Sequence, residues 1–346
     1  MRTRTAVGLS LIVAVLVMAN LVPSQAQKGT GQPAPPQKAA SPAAAQAEEE
    51  AQPSILDKGA RRNPLKIALL HWYLAAAERH FPVGNQPLGV CFDGANIWTA
   101  NYGDGTVTKV RANDGEVLGT FKVGAQPYGV TFDGANIWVS NQDAASVTKL
   151  RASDGKTLGT FAVGVGPGWM AFDGANVWVP NSPDSTVSKL RASDGKNMGT
   201  FPVGYGAGAA AFDGKDVWVT NYGTNTVTKL RASDGVVLGT FTVGYGPLGI
   251  AFDGADMWVA NRSDGTVSKL RASDGTVLGT FPAPGGPYGI AFDGTYMWVS
   301  GDIYLRVLRA SDGVQVESRQ LQTGGVAFDG AYVWMASFGR NSLYKF

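Results

Sequence analysis

The sequence repeats a three-residue motif, Phe-Asp-Gly, at a constant spacing, and this repeat limits the possible folds more than any other feature. The motif begins at Phe92, recurs every 40 residues up to Phe292, and appears once more at Phe328 after 36 residues. A tryptophan follows six residues after each phenylalanine, at Trp98, Trp138, Trp178, Trp218, Trp258, Trp298 and Trp334. Self-similarity at a fixed period of this length indicates stacked copies of one supersecondary unit. The chain therefore contains seven units.

Each unit predicts four short β-strands joined by tight turns. Around Phe252, the apolar segments 249–252, 257–260, 266–271 and 277–281 are separated by Asp-Gly pairs. Asp-Gly favours tight turns because glycine accepts a positive φ. Four antiparallel strands in about 40 residues are typical of one β-propeller blade. We therefore predict an all-β, seven-bladed β-propeller whose repeated tryptophans are structural residues between the blades.

The two ends of the repeat region complement each other. The last unit stops at Phe346, before its fourth strand, whereas segment 80–84 aligns with the fourth strand of the first unit at 120–124. We predict that the N-terminal strand completes the last blade, so that one sheet joins both ends of the propeller. The propeller then covers residues 79–346.

The residues before the propeller predict an exported protein. Arg2 and Arg4 precede an apolar stretch that ends in a small-residue cleavage pattern, Ser24-Gln25-Ala26, which is typical of a signal peptide over residues 1–26. We expect a periplasmic or extracellular protein with no membrane span after cleavage. An uncleaved membrane anchor is the alternative.

Two further segments are predicted between the signal peptide and the propeller. Residues 27–62 are rich in alanine and proline and indicate a disordered linker. Asn63-Pro64 is a helix-start signal, and the apolar residues after it predict a short helix over residues 63–78.

Charge and cysteine content exclude several classes of partner and chemistry. The formal net charge is +2, with no block of lysine or arginine, so we expect neither nucleic acid nor an anionic membrane as partner. The single cysteine, Cys91, aligns with small residues in the other units, and we interpret it as a buried packing residue. We expect a monomer.

The second strand of several units resembles a known repeat. Trp218-Val219-Thr220-Asn221 and its variants at Trp138 and Trp258 are similar to the strand motif of the YVTN-repeat β-propellers, with tryptophan in the tyrosine position. This resemblance covers residues 81–346. It implies a shared scaffold and carries no particular chemistry, because members of one fold family differ in function.

A second resemblance is to the streptogramin B lyases, through Gly286-Pro287-Tyr288-Gly289-Ile290 and the tryptophan-bearing strand after it. That family is a seven-bladed propeller that uses a histidine and glutamates with a divalent metal on one face. This chain has histidines only at His71 and His80, and the repeats have glutamates only at Glu116 and Glu317. No catalytic residue is therefore carried over, and we identify no catalytic constellation.

The loops that vary between units share one end of the predicted blades. The Phe-Asp-Gly and Arg-Ala-Ser-Asp-Gly turns barely change and define the turn face, whereas the loops between strands two and three and between blades define the variable face. Because loops on a rigid scaffold carry function, we predict ligand binding at the variable face. The candidate residues are Trp169, Tyr128, Tyr205, Tyr245, Tyr288, Tyr102, Tyr222 and Arg262.

Three individual features of the repeats have competing interpretations. Trp169 replaces a glycine of other units, either as compensation for Gly208 and its small neighbours or as a wall near the central channel. The third-strand lysines and arginines, such as Lys149 and Arg151, are interpreted as a solvated, locally balanced rim. We expect no cofactor, because the only candidate divalent-metal ligands occur in turn patterns: Asp104, Asp143, Asp184, Asp264 and Asp302.

These observations favour a binding or scaffold propeller that recognises a protein or glycan, because aromatic and short polar side chains suit both ligands. Variation of exposed loops without any function is the competing explanation for the variable face. A metal-assisted lyase or lactone hydrolase on the same face is the alternative function, and it requires carboxylates that converge at the channel mouth. A purely structural envelope protein is the third hypothesis.

Overall fold

The computed structural model describes residues 79–346, and this part of the chain consists of β-strands, turns and loops. The predicted helix over residues 63–78 lies outside the described residues, as do the predicted signal peptide and linker. Among the described residues, no helix has the length and apolar character needed to cross a membrane. The strands form seven four-stranded antiparallel sheets, which confirms the predicted seven-bladed propeller.

The first three blades follow strand β1 (Arg79–Pro82) in chain order. Blade 1 contains β2 (Pro87–Phe92), β3 (Asn96–Asn101), β4 (Thr106–Arg111) and β5 (Val117–Lys122). Blade 2 contains β6 (Pro127–Phe132), β7 (Asn136–Asn141), β8 (Ser146–Arg151) and β9 (Thr157–Ala162). Blade 3 contains β10 (Ala171–Phe172), β11 (Asn176–Asn181), β12 (Thr186–Arg191) and β13 (Asn197–Pro202).

The next three blades repeat the same order from the inner to the outer strand. Blade 4 contains β14 (Ala207–Phe212), β15 (Asp216–Asn221), β16 (Thr226–Arg231) and β17 (Val237–Thr242). Blade 5 contains β18 (Pro247–Phe252), β19 (Asp256–Asn261), β20 (Thr266–Arg271) and β21 (Val277–Pro282). Blade 6 contains β22 (Pro287–Phe292), β23 (Tyr296–Gly301), β24 (Tyr304–Arg309) and β25 (Gln315–Gln320).

Blade 7 is built from both ends of the described chain. Strands β26 (Val326–Phe328), β27 (Val333–Ser337) and β28 (Ser342–Lys345) come from the C-terminus, and β1 pairs with β28 as the outer strand. Phe81 lies opposite Leu343 in this pairing, and its ring packs 5.4 Å from that of Trp334. The predicted closure is confirmed, and it places the first and last units in one sheet.

The repeated tryptophans anchor the turn face to the core. Trp98 and its counterparts are buried, Trp298 less completely than the other six. In every blade the indole Nε1–H donates a hydrogen bond to the aspartate of Phe-Asp-Gly, at 2.7 to 2.8 Å. The other carboxylate oxygen, as in Asp93, accepts backbone N–H groups two and three residues later. The aspartate therefore does more than form a turn, because it holds the strand that follows.

The third-strand lysines are buried, so the predicted solvated rim is wrong for these residues. Lys109 is 7% exposed, and its Nζ lies 5.2 Å from the Trp98 ring centroid. The same Nζ donates a 2.7 Å hydrogen bond to the carbonyl of Ala152 in the next blade. Lys345 makes the equivalent bond to Ala112 and links blade 7 to blade 1. These lysines join neighbouring blades because carbonyl acceptors and an aromatic face replace their water.

The arginines of the same strands remain on the surface, as predicted. Arg151 pairs with Asp154 at 3.1 Å, and the equivalent pairs recur in blades 1 to 6. Each turn aspartate also accepts the backbone N–H two residues later. These contacts lower the pKa of the turn aspartates below the ordinary carboxyl value.

Replacing Asp173 by alanine should destabilise the propeller by about 2 to 4 kcal/mol. The substitution leaves the buried Trp178 N–H without an acceptor and removes the carboxylate that orders the turn. Urea unfolding followed by tryptophan fluorescence measures the change. Asp143→Ala removes an exposed carboxylate for which the structure shows no hydrogen bond, so it should stay within about 0.5 kcal/mol of wild type. Equal effects of the two substitutions would contradict the anchoring role.

The propeller should lose stability as the pH falls below about 4, near the carboxyl pKa of an unfolded chain. The folded turn aspartates have lowered pKa values, so their stabilisation is complete above the unfolded pKa and disappears as they become protonated. For Asp194, the Arg191 guanidinium is the main cause of the lowered pKa. Asp194→Asn should therefore melt below wild type at pH 6, by a margin that narrows as the pH falls from 4 towards 2. A constant difference in Tm across this range would oppose the explanation.

Candidate functional site on the variable face

Paired loops build the variable face. In blades 1 to 6, a backbone N–H at the start of the loop between strands two and three donates to a carbonyl of the loop that enters the blade, as from Tyr222 to Gly206 at 2.9 Å. The entering loops require a positive φ at one repeated position, and Gln86 and Gln126 adopt it without glycine, at 54° and 51°. The Gln126 side chain is fixed in turn by the Tyr102 hydroxyl, which donates to its Oε1 at 2.5 Å. The predicted grouping of these loops at one end is therefore confirmed.

Three of the predicted aromatic residues meet over the central channel. The Trp169 ring lies 5.3 Å from Tyr128 and 4.9 Å from Tyr288, and the two tyrosine hydroxyls are joined by a 2.5 Å hydrogen bond. Because Tyr128 belongs to blade 2 and Tyr288 to blade 6, this hydrogen bond crosses the central channel of the propeller. Arg262 adds its guanidinium 5.3 Å from the Tyr288 ring centroid and pairs with Asp302 at 2.8 Å. We call Tyr128, Trp169 and Tyr288 the channel cluster.

The channel cluster stays uncharged at neutral pH. Burial raises the pKa of Tyr288 well above the ordinary tyrosine value, and the neighbouring Tyr128 adds to the rise. Burial also raises the pKa of Tyr128, although its hydrogen bond with Tyr288 opposes the change. The two hydroxyls therefore act as a neutral hydrogen-bonded pair. No nucleophilic phenolate is expected at this position.

Trp169 has both of the roles that the sequence left open. Its backbone pairs with blade 4, donating to the Gly208 carbonyl at 3.0 Å and accepting from the Ala210 N–H at 2.8 Å. The ring also borders a channel cavity of about 140 Å³, lined by apolar residues that include Val90, Val130, Ile250 and Ile290. The small residues of blade 4 therefore compensate for a large residue that also narrows the channel.

Three of the other predicted tyrosines form a separate, exposed group, whereas Tyr102 bonds to Gln126. Tyr205 and Tyr245 are 62% and 64% exposed, and Tyr222 lies between them in chain order. The Tyr222 hydroxyl lies 3.2 Å from the Ser263 hydroxyl, and the Ser263 N–H donates to the Tyr245 carbonyl. The Gly223 N–H donates to the Tyr205 carbonyl. We call Tyr205, Tyr222 and Tyr245 the tyrosine patch, and it spans blades 4 and 5.

Four of the five candidate metal-binding aspartates already have other partners. Asp104, Asp184 and Asp264 each accept the backbone N–H of the residue 19 positions earlier, at 2.5 to 2.7 Å. Asp302 pairs with Arg262, whereas Asp143 is exposed on its loop. In residues 79–346, no three histidine, cysteine, aspartate or glutamate side chains come together in a way that could hold a metal ion. Three of these residues therefore stabilise the entering loops of alternate blades.

The remaining residues considered for chemistry are also separated. His80 stacks on Tyr344 at 6.1 Å in the outer part of blade 7, and His71 lies outside the described residues. Glu116 pairs with Arg111 on the turn face, and Glu317 pairs with Arg319 on the outer strand of blade 6. Cys91 packs partly buried beside the blade 2 core, and burial raises its thiol pKa. The Cys91 thiol is therefore not activated as a nucleophile.

Comparisons with solved structures agree with the fold of this chain. It resembles a streptogramin B lyase structure (TM-score 0.67, 17% identity, 78% of this chain and 96% of that one) and the virginiamycin B lyase from Staphylococcus aureus (TM-score 0.67, 18% identity, 78% and 98%). It also resembles the Kuenenia stuttgartiensis hydrazine synthase (TM-score 0.66, 18% identity, 75% and 95%). At this identity the likeness shows the fold, a seven-bladed β-propeller.

Sequence comparison adds no narrower assignment. No family model matches the chain, and a search of curated proteins finds no match. The likeness to the YVTN-repeat propellers therefore remains a resemblance carried by the Trp218-Val219-Thr220-Asn221 motif and its repeats.

Trp169 and Tyr205 should respond differently to truncation, although both were predicted as ligand residues. Trp169→Ala should destabilise the protein by about 2 to 4 kcal/mol, because it removes ring contacts in the channel cluster and enlarges a cavity. Tyr205→Ala removes a ring that is mostly in water and should change stability by less than about 0.5 kcal/mol. Thermal unfolding of both variants measures the difference. Equal stability of the two variants would show that the Trp169 side chain does not stabilise the propeller.

Proposed function

We propose that this protein is an exported, monomeric binding module that engages a protein partner through the tyrosine patch. The observation that carries the proposal is the exposure of Tyr205, Tyr222 and Tyr245 on neighbouring, hydrogen-bonded loops of blades 4 and 5. Tyrosine is enriched at protein interfaces, because it offers a large apolar area and one hydroxyl at a small entropic cost. The same residues offer little to the stability of the isolated ring.

The surroundings of the patch favour a protein over a glycan. Val165 occupies the same loop position in blade 3 that Tyr205 and Tyr245 occupy in blades 4 and 5, and it is 53% exposed. The three neighbouring positions therefore form an apolar stripe on consecutive loops. A valine side chain has no hydrogen-bonding group, so it suits apolar side chains of a partner better than a hydroxyl-rich sugar.

The lyase alternative has less support among the described residues. Its chemistry requires carboxylates that converge at the channel mouth, and Asp104, Asp184 and Asp264 are instead bonded to separate loops. The similarity to the streptogramin B lyase structure, at 17% identity, concerns the fold and gives no support to a shared activity.

The double variant Tyr205→Ser/Tyr245→Ser should abolish partner binding without loss of fold. Two such interface tyrosines contribute roughly 2 kcal/mol each, so we expect at least a hundredfold increase in Kd. Proteins that the wild-type chain, residues 27–346, captures from envelope extracts are purified. Surface plasmon resonance then measures the Kd of each purified protein for wild type and for the double variant. A glycan array probed with the same two proteins tests the glycan alternative.

The matched control is Val277→Ser/Leu278→Ser, which removes two exposed apolar side chains from the outer strand of blade 5, close to the turn face. It should leave the Kd unchanged. The proposal fails if every purified partner binds the Tyr205/Tyr245 variant as tightly as wild type. Binding of wild type to glycans alone, lost in that variant, would replace the protein partner by a glycan.

A further inference from the structure

Blade 6, like blades 2 and 4, lacks a contact that blades 1, 3 and 5 share. In blade 5, Asp264 Oδ2 accepts the backbone N–H of Tyr245 in the entering loop, at 2.6 Å. The corresponding loop position in blade 6 is Gly285. The six residues from Asn261 to Thr266 are replaced in blade 6 by the four residues Gly301-Asp302-Ile303-Tyr304, so the capping aspartate has no counterpart. Among the described residues, the Gly285 N–H finds no acceptor.

The same blade carries a buried cation at a position that is small and neutral in blades 1 to 5. Arg306 aligns with Thr108, Thr148, Ser188, Thr228 and Ser268, whose hydroxyls accept a hydrogen bond from the buried asparagine of the second strand. In blade 6 that asparagine is Gly301. Arg306 is 7% exposed, and its Nε is buried without a partner in the described part of the chain. Its guanidinium instead stacks 4.8 Å from the Tyr304 ring centroid.

Arg306 and Gly285 lie beside the same ring. The guanidinium packs on one side of Tyr304, and a Cβ built on Gly285 would lie 2.9 Å from Tyr304 Cδ2. The hairpin's own carboxylate, Asp302, pairs with Arg262 and not with Arg306. Burial lowers the pKa of Arg306, and no carboxylate among the described residues forms an ion pair with it to oppose the change. A buried charge of this kind is costly unless something pairs with it.

We propose that blade 6 binds the carboxylate group of a ligand between the Arg306 guanidinium and the Gly285 N–H. The ligand carboxylate takes the role that Asp264 has in blade 5, and Arg306 supplies the charge that makes an external carboxylate favourable. An arginine suits this task because its planar fork binds both carboxylate oxygens. The site lies on the variable face but shares no residue with the tyrosine patch, so it does not depend on the proposed protein partner.

The test uses acetate as the probe and the chain expected after signal cleavage, residues 27–346. The Tm of wild type should rise with sodium acetate above its value in sodium chloride at equal ionic strength. Arg306→Thr restores the residue type of blades 1, 2 and 4 and should weaken acetate binding at least tenfold. Arg309→Thr is the matched control, because it removes an exposed arginine from the same strand and should leave the acetate response unchanged. Tyr205→Ser/Tyr245→Ser should also leave it unchanged.

A second measurement separates binding from a purely structural role of Arg306. Arg306→Thr should be at least as stable as wild type in chloride, because it removes a largely buried guanidinium that has no ion-pair partner among residues 79–346. Arg306→Lys keeps the charge but not the fork and should bind acetate several-fold more weakly than wild type. Isothermal titration with N-acetylglycine and with glucuronate then shows whether a peptide carboxylate or a sugar acid fits better.

Three results would overturn the proposal. The first is an equal response of wild type to acetate and chloride, and the second is an unchanged acetate response in Arg306→Thr. The third is a loss of stability in chloride that is larger for Arg306→Thr than for Arg309→Thr. Arg306 would then have a structural role in blade 6 and not a ligand-binding role.

Discussion

The hydrogen bond from each repeated tryptophan to the aspartate of its Phe-Asp-Gly turn is the interaction on which the ring depends. The indole N–H is buried in the core, so only a nearby acceptor can satisfy it, and the carboxylate that does so also orders the turn. The lysine beside the same ring bonds to the next blade. One cluster of three side chains therefore sets the shape of a blade and its contact with a neighbour. Blade 6 lacks the lysine, because Val307 stands at its position.

This regular turn face leaves the opposite face free to vary. Departures from the repeat concentrate there in two blades: Trp169 in blade 3, and the shortened hairpin with Arg306 in blade 6. The channel cluster lies over the central channel, whereas the tyrosine patch is an exposed surface that should contribute little to the stability of the propeller. The binding role proposed above uses loops of this variable face, which a rigid scaffold presents without depending on their sequence.

Much of the fold could be predicted because the repeats report the same information seven times. The period, the turns and the N-terminal strand were all readable from the spacing of Phe92 and its counterparts. The burial of Lys109 could not be predicted in this way. A lysine in an alternating strand is expected to face solvent, and only the fold brings the carbonyl of Ala152 in another blade to its Nζ. Likewise, Asp104 resembles a turn residue in sequence, and only the folded loop shows the N–H that it accepts. The arginine at position 306 could have been found from the sequence, because the aligned repeats of blades 1 to 5 have threonine or serine there.

The sequence by itself determined the number of blades, the strand order within each blade and the closure between the chain ends, since these follow from local patterns and their period. Only the tertiary structure decided how the candidate aromatic residues divide, with Tyr128 meeting Tyr288 across the ring while Tyr205 and Tyr245 stay in water. The physical reason is that ring closure brings together residues 160 positions apart. Such contacts depend on the curvature of the whole ring, which no single repeat encodes.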